Sequence, residues 1–586
     1  MALPTSVIEK ILPFVEKPAR YIGGEINSSA KPFDSSNVNL CLAFPDIYEI
    51  GMSNLGNRIL YSIVNKRDGF SAERVYCPWK DMLSEMKKKG VGLFSLENKI
   101  PVGDFDVIGF SLQYELCITN VLCMLAHAGI PLLSRDRADG MPIIIAGGAC
   151  ISQPEPYADI FDVMIPGDGE TAILDFLEWF RNNRKLVLSG RKMALEKLSK
   201  DSSSVYIPQF KVEGKKIRKN VENSVFVDDL SDIIIPNIRT VHDRVVVEIM
   251  RGCTRGCRFC QPGMINRPLR EKALAEVIGE AGKKIGRSGY EEISLLSLSS
   301  GDYSAIKKLC EDLNRIFSGK NVSVSLPSLR CDSFCIDLAG QVSKTRKSGL
   351  TFAPEAGTER LRKIINKDLS DEEILNSCLY AFEKGWKLIK LYFMVGLPFE
   401  TYDDVDAIGL LAERILSEAG KAGYNGVKLN ITVSNFVPKA HTPFQWEEMN
   451  RIEDLKIKHR RVRNAVKSKK VKLSFHDPEM SFLESLFARG GRELLRVSIR
   501  AVEMGAGFDQ WTDCFDYNIW KKAFSECGVE MKTAIRPGDT LPWGHMDYGV
   551  NEQYLLSERV NAGKGQLTPD CRKTGICGNC GAACRN

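Results

Sequence analysis

The chain has 586 residues, 44% of them hydrophobic and 26% charged, with a formal net charge of +6. Such a composition belongs to a folded protein of about three to five domains and excludes a disordered chain. Apolar runs fall short of the roughly 18 residues that cross a bilayer. Glu9, Lys10, Glu16 and Lys17 interrupt the first twenty residues, so neither a signal peptide nor an anchor is expected. The mild charge gives little reason to expect nucleic-acid binding from composition.

Taken in chain order, residues 1–35 read as a helical lead-in. Val38 to Pro45 is a buried strand running into a loop, Asp46 to Gly56, with a helix from Asn57 to Val64. Asp106 to Leu112 is a second apolar strand, followed by a helical stretch to His127, which reads as a packed histidine. Pro142 to Gly148 is a third strand ending in glycines. Asp162 to Ile165 is a short fourth, ending at Gly167-Asp168-Gly169-Glu170. Strands alternating with helices predict a doubly wound α/β domain over 36–185, with ligands where loops leave the strands' carboxyl ends.

Residues 186–240 read as a β-rich linker, with an antiparallel piece over Val205 to Val227 that turns at Val212-Glu213-Gly214-Lys215. The α/β rhythm resumes at Val245: VVVEIM, EEISLLSL, VSVSLPS, LTFAPE, KLIKLYFMVG and GVKLNITVSNF are six strand candidates. They predict a second α/β unit over 241–450, a partial barrel. A mostly helical region over 451–550 follows, then a Cys-rich tail over 551–586. The basic stretch Arg451 to Lys472 carries Ile452, Leu455, Val462 and Val466 at helical spacing. It is either the solvated face of an amphipathic helix or a contact for an RNA backbone.

The sequence holds 18 cysteines. In a long chain without a leader, closely spaced cysteines point to metal or catalysis rather than disulfides. Most of those outside two tight groups, Cys331 and Cys335 among them, read as buried small hydrophobes. The first tight group, Cys253, Cys257 and Cys260, follows the strand VVVEIM directly. Three thiolates on one loop can hold three irons of a [4Fe–4S] cluster and leave the fourth open. Zinc would want a fourth ligand nearby, and Gln261 to Met264 supply none. The second group, Cys571, Cys577, Cys580 and Cys584, suits either a second [4Fe–4S] cluster or a structural Zn²⁺.

CTRGCRFC resembles the C-x-x-x-C-x-x-C signature of radical S-adenosylmethionine (SAM) enzymes. The resemblance implies a partial (βα)₆ barrel, a cluster whose open iron chelates SAM, and reductive cleavage of SAM to a 5′-deoxyadenosyl radical. It also implies an electron donor of flavodoxin or ferredoxin type and a cytoplasmic location. Phe259 stands just before the last cysteine. Ser299, Ser300, Gly301 and Asp302 lie where the family usually has Gly-Gly-Glu for the methionine amine. Gly396, Leu397 and Pro398, after Met394, resemble the motif that packs against adenine. Pro354-Glu355 to Leu361 and Phe436 to Phe444 resemble segments of the methylthiotransferase branch. Arg251, Arg255 and Arg258 are candidates for positive charge near the cluster, and Tyr392, His441 and Glu355 for groups facing the barrel.

The first domain resembles the cobalamin (B12)-binding Rossmann type. Asp46, Tyr48 and Gly51 fall in register with its D-x-H-x-x-G, with tyrosine where the family has the cobalt-ligating histidine. Ser111 after the second strand, and Gly147 and Gly148 after the third, resemble its later small residues. The whole is similar to radical SAM proteins with an N-terminal cobalamin-binding domain and a Cys-rich C-terminus. That likeness implies methyl or related group transfer to an unactivated carbon of an unknown substrate. Two alternatives stand beside it: cobalamin-free, methylthiotransferase-like transfer to RNA or protein, and a non-catalytic iron–sulfur and corrin-binding sensor.

Overall fold

The computed structural model describes all residues except 1, 30, 212, 223–232, 327–349, 533, 583 and 585–586. Cys331, Cys335 and part of the expected antiparallel piece lie outside the described residues. The chain divides into two units. One comprises Met1–Asp243, Phe487–Lys532 and Thr540–Asp547; the other comprises Arg244–Leu486, Thr533–Asp539 and Tyr548–Asn586. The region expected at 451–550 is therefore shared between them.

The first unit is built on five parallel strands: β1 (Val38–Phe44), β2 (Phe70–Tyr76), β3 (Val107–Ser111), β4 (Ile143–Gly147) and β5 (Val163–Met164). Their order is β2-β1-β3-β4-β5. β1 is buried along its whole length, as a parallel sheet covered on both faces requires. Helices Leu55–Asn65 and Glu170–Ser189 bring Ile59, Ile63, Phe176 and Phe180 onto Val38, Leu40 and Leu42. The strand order reverses between β1 and β3, which opens a crevice at their carboxyl ends.

Two features differ from the sequence reading. β2 is a strand that the hydrophobic pattern hides, because Glu73 and Arg74 sit in its middle. Both are buried. Arg74 pairs with Glu25 at 2.9 Å and Glu97 at 2.6 Å, and Glu73 accepts from Ser95 at 2.6 Å. Among the described residues of the segment expected to be a β-rich linker are helix Arg191–Asp201 and a short strand, β6 (Ile217–Arg218). β6 pairs in parallel with Met546–Asp547, a segment more than three hundred residues away, rather than with a neighbour in a hairpin. Val205, where the expected hairpin began, is buried in the core of this unit, and the chain runs on from it into the turn Pro208–Phe210.

The second unit carries the six expected strands, a small antiparallel pair and one further parallel strand. β7 (Val245–Glu248) leads into the antiparallel pair, β8 (Met250–Arg251) with β9 (Arg270–Glu271). β10 (Glu292–Leu296) and β11 (Ser323–Ser325) join β7 in the order β11-β10-β7. β12 (Leu350–Glu355), β13 (Leu388–Val395), β14 (Lys428–Asn435) and β15 (Val471–Phe475) follow as a second parallel sheet in that order. β15 lies where only helix was expected; its V-K-L-S-F alternation is short and sits behind a run of lysines. Helices Asp371–Glu383 and Tyr402–Lys421 pack Ile374, Phe382, Ile408 and Ile415 against Ile389, Leu391 and Leu429. Ser370 and Glu373 form a reciprocal cap that starts the first of these helices. The fold class is the expected α/β. Among the described residues no helix is long and apolar enough to cross a membrane.

Candidate active site

The cysteine loop leaves the second unit's sheet just after β8. Gly252 and Gly256 turn it with φ of +86° and +71°. A Cβ on Gly252 would lie 2.7 Å from the Asn266 carbonyl oxygen, so only glycine allows the loop to pass so close. Cys260 caps the short helix Gln261–Ile265 by accepting the Gly263 N–H at 3.4 Å. Burial pushes the Cys253 thiol up to about 11 and the Cys260 thiol up to about 12, with the charge of Cys257 adding to both. Such thiols are protonated until a metal takes them as thiolates.

All three arginines of the loop are paired. Arg251 meets Glu248 at 2.8 Å, Arg258 meets Glu558 at 3.0 Å, and Arg255 forms a forked pair with Asp302, Nε to Oδ2 at 2.7 Å. The positive charge expected near the cluster thus sits on arginines that are each paired with a carboxylate. Around the loop, Phe259 and Met394 pack against Leu397, Phe436, Phe444 and Leu361, and so gather segments the sequence analysis singled out separately. Gln261 donates to the Ala440 carbonyl at 3.2 Å. Gly396 has φ +84°, and its N–H donates to Glu400 at 2.8 Å. Glu355 pairs with Lys367 at 3.0 Å and adds its charge to the rise at Cys260.

Ser299 to Asp302 follow β10. Ser300 is buried, shares a hydroxyl contact with Ser297 at 3.0 Å and donates to the Leu295 carbonyl at 3.0 Å. Ser299 donates to Asp302 at 2.6 Å. These serines shape the turn, and Asp302 is the group that carries charge. Of the other candidates, Tyr392 is exposed on β13, and the buried His441 stacks near Tyr548 with ring centres 4.9 Å apart.

In the first unit a cavity of about 330 Å³ opens at the carboxyl ends of β1 and β3, lined among others by Asp46, Ile50, Ser111, Tyr114, Gln510 and Trp511. Trp511 Nε1 donates to Asp46 at 3.0 Å. Burial, opposed by that bond and by the Ile47 N–H, holds the Asp46 carboxyl above its ordinary range. The sequence reading placed Asp46 and Ser111 here but missed Gln510 and Trp511, which return from far along the chain. Tyr48 is 1% exposed, and its hydroxyl accepts the Asn237 N–H at 3.1 Å. Gly51 and Gly148 serve the chain itself: a Cβ would meet the Tyr76 ring at 2.2 Å in one case and the Leu112 carbonyl oxygen at 2.4 Å in the other. Gly147 closes β4. His127 Nδ1 lies 2.8 Å from the Cys123 carbonyl oxygen, within its own helix.

The tail cysteines lie in the same unit as the cysteine loop. Burial raises the thiols of Cys571 and Cys584, and charges from Cys577 and Cys580 add to both. Asn551 N–H donates to the Cys580 carbonyl at 2.9 Å. Among the described residues no three His, Cys, Asp or Glu side chains are arranged to hold a metal ion, at either cysteine group or elsewhere. The basic helix, Ile452–Ala465, uses its cations internally: Lys458 meets Glu400 at 2.7 Å, Lys456 meets Glu479 at 2.9 Å, and Arg461 pairs with Asp406.

Two family models match the chain: radical SAM proteins, N-terminal, over residues 56–208, and the radical SAM superfamily over residues 247–412. The chain belongs to the radical SAM superfamily. An uncharacterized protein of Methanocaldococcus jannaschii is 27% identical to it over 497 residues, covering 82% of this chain and 98% of the relative. A putative methylthiotransferase of the same organism is 23% identical and covers 63% of this chain and 73% of the relative. Among solved structures, the radical SAM methyltransferase TsrM from Kitasatospora setae, with cobalamin and [4Fe–4S] cluster bound, is 12% identical with a TM-score of 0.47. That likeness covers 68% of this chain and 75% of TsrM.

For this radical SAM enzyme a [4Fe–4S] cluster and SAM are implied, and three thiols on one glycine-turned loop are a donor set that such a cluster takes. For cobalamin the test is the cavity at the β1–β3 crevice, lined by Asp46, Ser111 and Trp511. It is at the small end of the roughly 300–1,000 Å³ range of ligand pockets. The residues do not fit ligation through Tyr48, whose hydroxyl is buried and bonded.

Proposed function

We propose that this radical SAM enzyme transfers a methyl or related group to an unactivated carbon, with its first unit holding cobalamin. The observation that carries the reading is the loop of Cys253, Cys257 and Cys260, which follows the antiparallel pair β8–β9 and carries Phe259 onto the apolar wall of Met394 and Leu397. When bound there, a [4Fe–4S] cluster with SAM supplies a 5′-deoxyadenosyl radical that can take hydrogen from an unreactive C–H bond. Cobalamin in the first unit would supply the methyl group, with Asp46 and Ser111 against its tail. Phe259 and Leu397 shield the adenosyl end from water, Gly396 lets the backbone approach it, and Asp302 offers a carboxylate to an ammonium. Cys571, Cys577, Cys580 and Cys584 would hold a second cluster or zinc, and a flavodoxin- or ferredoxin-type donor would supply the electron. A cobalamin-free, methylthiotransferase-like transfer is the second reading, supported by the 23% identity to a putative methylthiotransferase.

Anaerobic reconstitution tests the proposal, with iron, sulfide, zinc and cobalt analysis and an assay for 5′-deoxyadenosine. About eight irons per chain, with cobalt retained, would support two clusters and corrin-dependent transfer. About four irons with one zinc and no cobalt would favour the second reading. Absence of iron under these conditions would overturn both.

A further inference from the structure

The cysteine loop is strapped by the stretch just before the tail cysteines. Asn366 is the clasp. Its Nδ2 donates to the carbonyls of Arg255 and Gly256, both at 3.2 Å, and of Thr568 at 3.1 Å, while its Oδ1 accepts the Thr568 N–H at 2.8 Å. Arg258 adds a bond to the Gln566 carbonyl at 2.7 Å. Two residues beyond Thr568, Asp570 reaches the Arg255 guanidinium, Nε to Oδ2 at 3.4 Å, although Arg255 is already forked onto Asp302. Arg572 then donates to the Asp302 carbonyl at 3.2 Å and to Glu271 at 2.8 Å. One cation thus stands between two carboxylates, one at the end of β10 and one on the strap.

We propose that Asp570 is a positioning residue for SAM binding, because it shares Arg255 with Asp302. This rests on the radical SAM reading of the loop. The forked Arg255 guanidinium neutralises the Asp302 carboxylate and so competes with the ammonium of SAM for it. Asp570 gives Arg255 a second carboxylate to lean on, so Asp302 can release it without leaving a part-buried cation unpaired. The strap therefore sets how readily Asp302 accepts the incoming ammonium.

The test uses the full chain, reconstituted anaerobically, in wild-type, Asp570→Asn and Asp570→Glu forms. Two quantities are read: the KM for SAM in 5′-deoxyadenosine formation, and the SAM concentration at which the electron paramagnetic resonance signal of the reduced cluster changes. In Asp570→Asn both rise by about tenfold, with iron content and kcat unchanged, and Asp570→Glu restores most of the loss. Thr568→Val, which removes a hydroxyl that donates to Glu558 at 2.6 Å, loosens the same stretch without touching the Arg255 charge and changes KM by less than about twofold. An unchanged KM in Asp570→Asn, a loss of iron there, or an equal rise in Thr568→Val would overturn the proposal. A wild-type protein that shows no response to SAM would instead sink the underlying reading, and the proposal with it.

Discussion

Glu558→Ala isolates a buried ion pair between the cysteine loop and the C-terminal helix. The side chains of Arg258 and Glu558 are 0% and 3% exposed, with Nε and Oε2 3.0 Å apart. Removing one partner of a buried pair costs about 3–5 kcal/mol, because the remaining charge is left in a poorly solvated place. Arg258 keeps the carbonyls of Lys363, Ile364 and Gln566 at 3.1, 2.8 and 2.7 Å, which places the cost at the lower end. Loss of the Thr568 hydroxyl's acceptor adds about 1 kcal/mol. At roughly 4 kcal/mol in all, local opening becomes more frequent by about 1,000-fold. Hydrogen–deuterium exchange of peptides covering 253–260 and 552–570 measures this directly. Exchange in both peptides within about threefold of wild type would refute the argument that this pair holds the loop.

The Cys123 thiol is held well below its ordinary range: the hydrogen bond from Cys77 lowers it most, with His127 Nδ1 3.5 Å from its sulfur adding to that. Its alkylation rate should stay flat from roughly pH 6 to 8, and Cys77→Ala should move the midpoint upward; a midpoint that stays put in the variant would contradict the assignment. Burial holds His459 down at about 4, with Arg463 contributing. A depressed histidine stabilises the fold above the unfolded value of about 6.5 and loses that contribution as pH falls towards 4, so His459→Asn should flatten the acid side of the stability profile. Equal slopes in the two proteins would count against it. Gly357→Ala would set a Cβ 2.2 Å from the Asp404 carbonyl oxygen and 2.7 Å from the Ile408 nitrogen, both on helix Tyr402–Lys421. A loss of about 1–3 kcal/mol is expected in denaturant unfolding, and an unchanged midpoint would show that the helix shifts freely.

What could be read in the sequence was local. The six apolar strands of the second unit and the Cys253 to Cys260 loop are each encoded within a few residues, so pattern and spacing revealed them. β2 escaped because Glu73 and Arg74 are buried by partners at Glu25, Ser95 and Glu97, none of which a window around the strand contains. β15 escaped because five alternating residues beside a basic helix carry too little apolar signal. Trp511 could not be placed at the crevice, since its bond to Asp46 closes over more than four hundred residues. Asp570 and Arg255 share that difficulty: both are charged residues in polar stretches, and only the fold makes them neighbours.

The backbone points to the carboxyl ends of the second unit's strands independently of any sequence motif. Glu355, the last residue of β12, has φ +71°; Phe399, shortly after β13, has φ +62°; and His441, after β14, has φ +60°. Left-handed conformations in residues with a Cβ cost of order 1–3 kcal/mol and persist where the surrounding structure over-determines them. Three successive strands carry one each at the same end. Glycine would relieve the strain at any of the three, yet the sequence keeps a carboxylate, an aromatic ring and an imidazole there. Side-chain partners hold two of them: Glu355 pairs with Lys367 at 3.0 Å and the His441 ring lies 4.9 Å from Tyr548, so the strained turns at the end of the sheet are fixed by contacts the chain itself supplies.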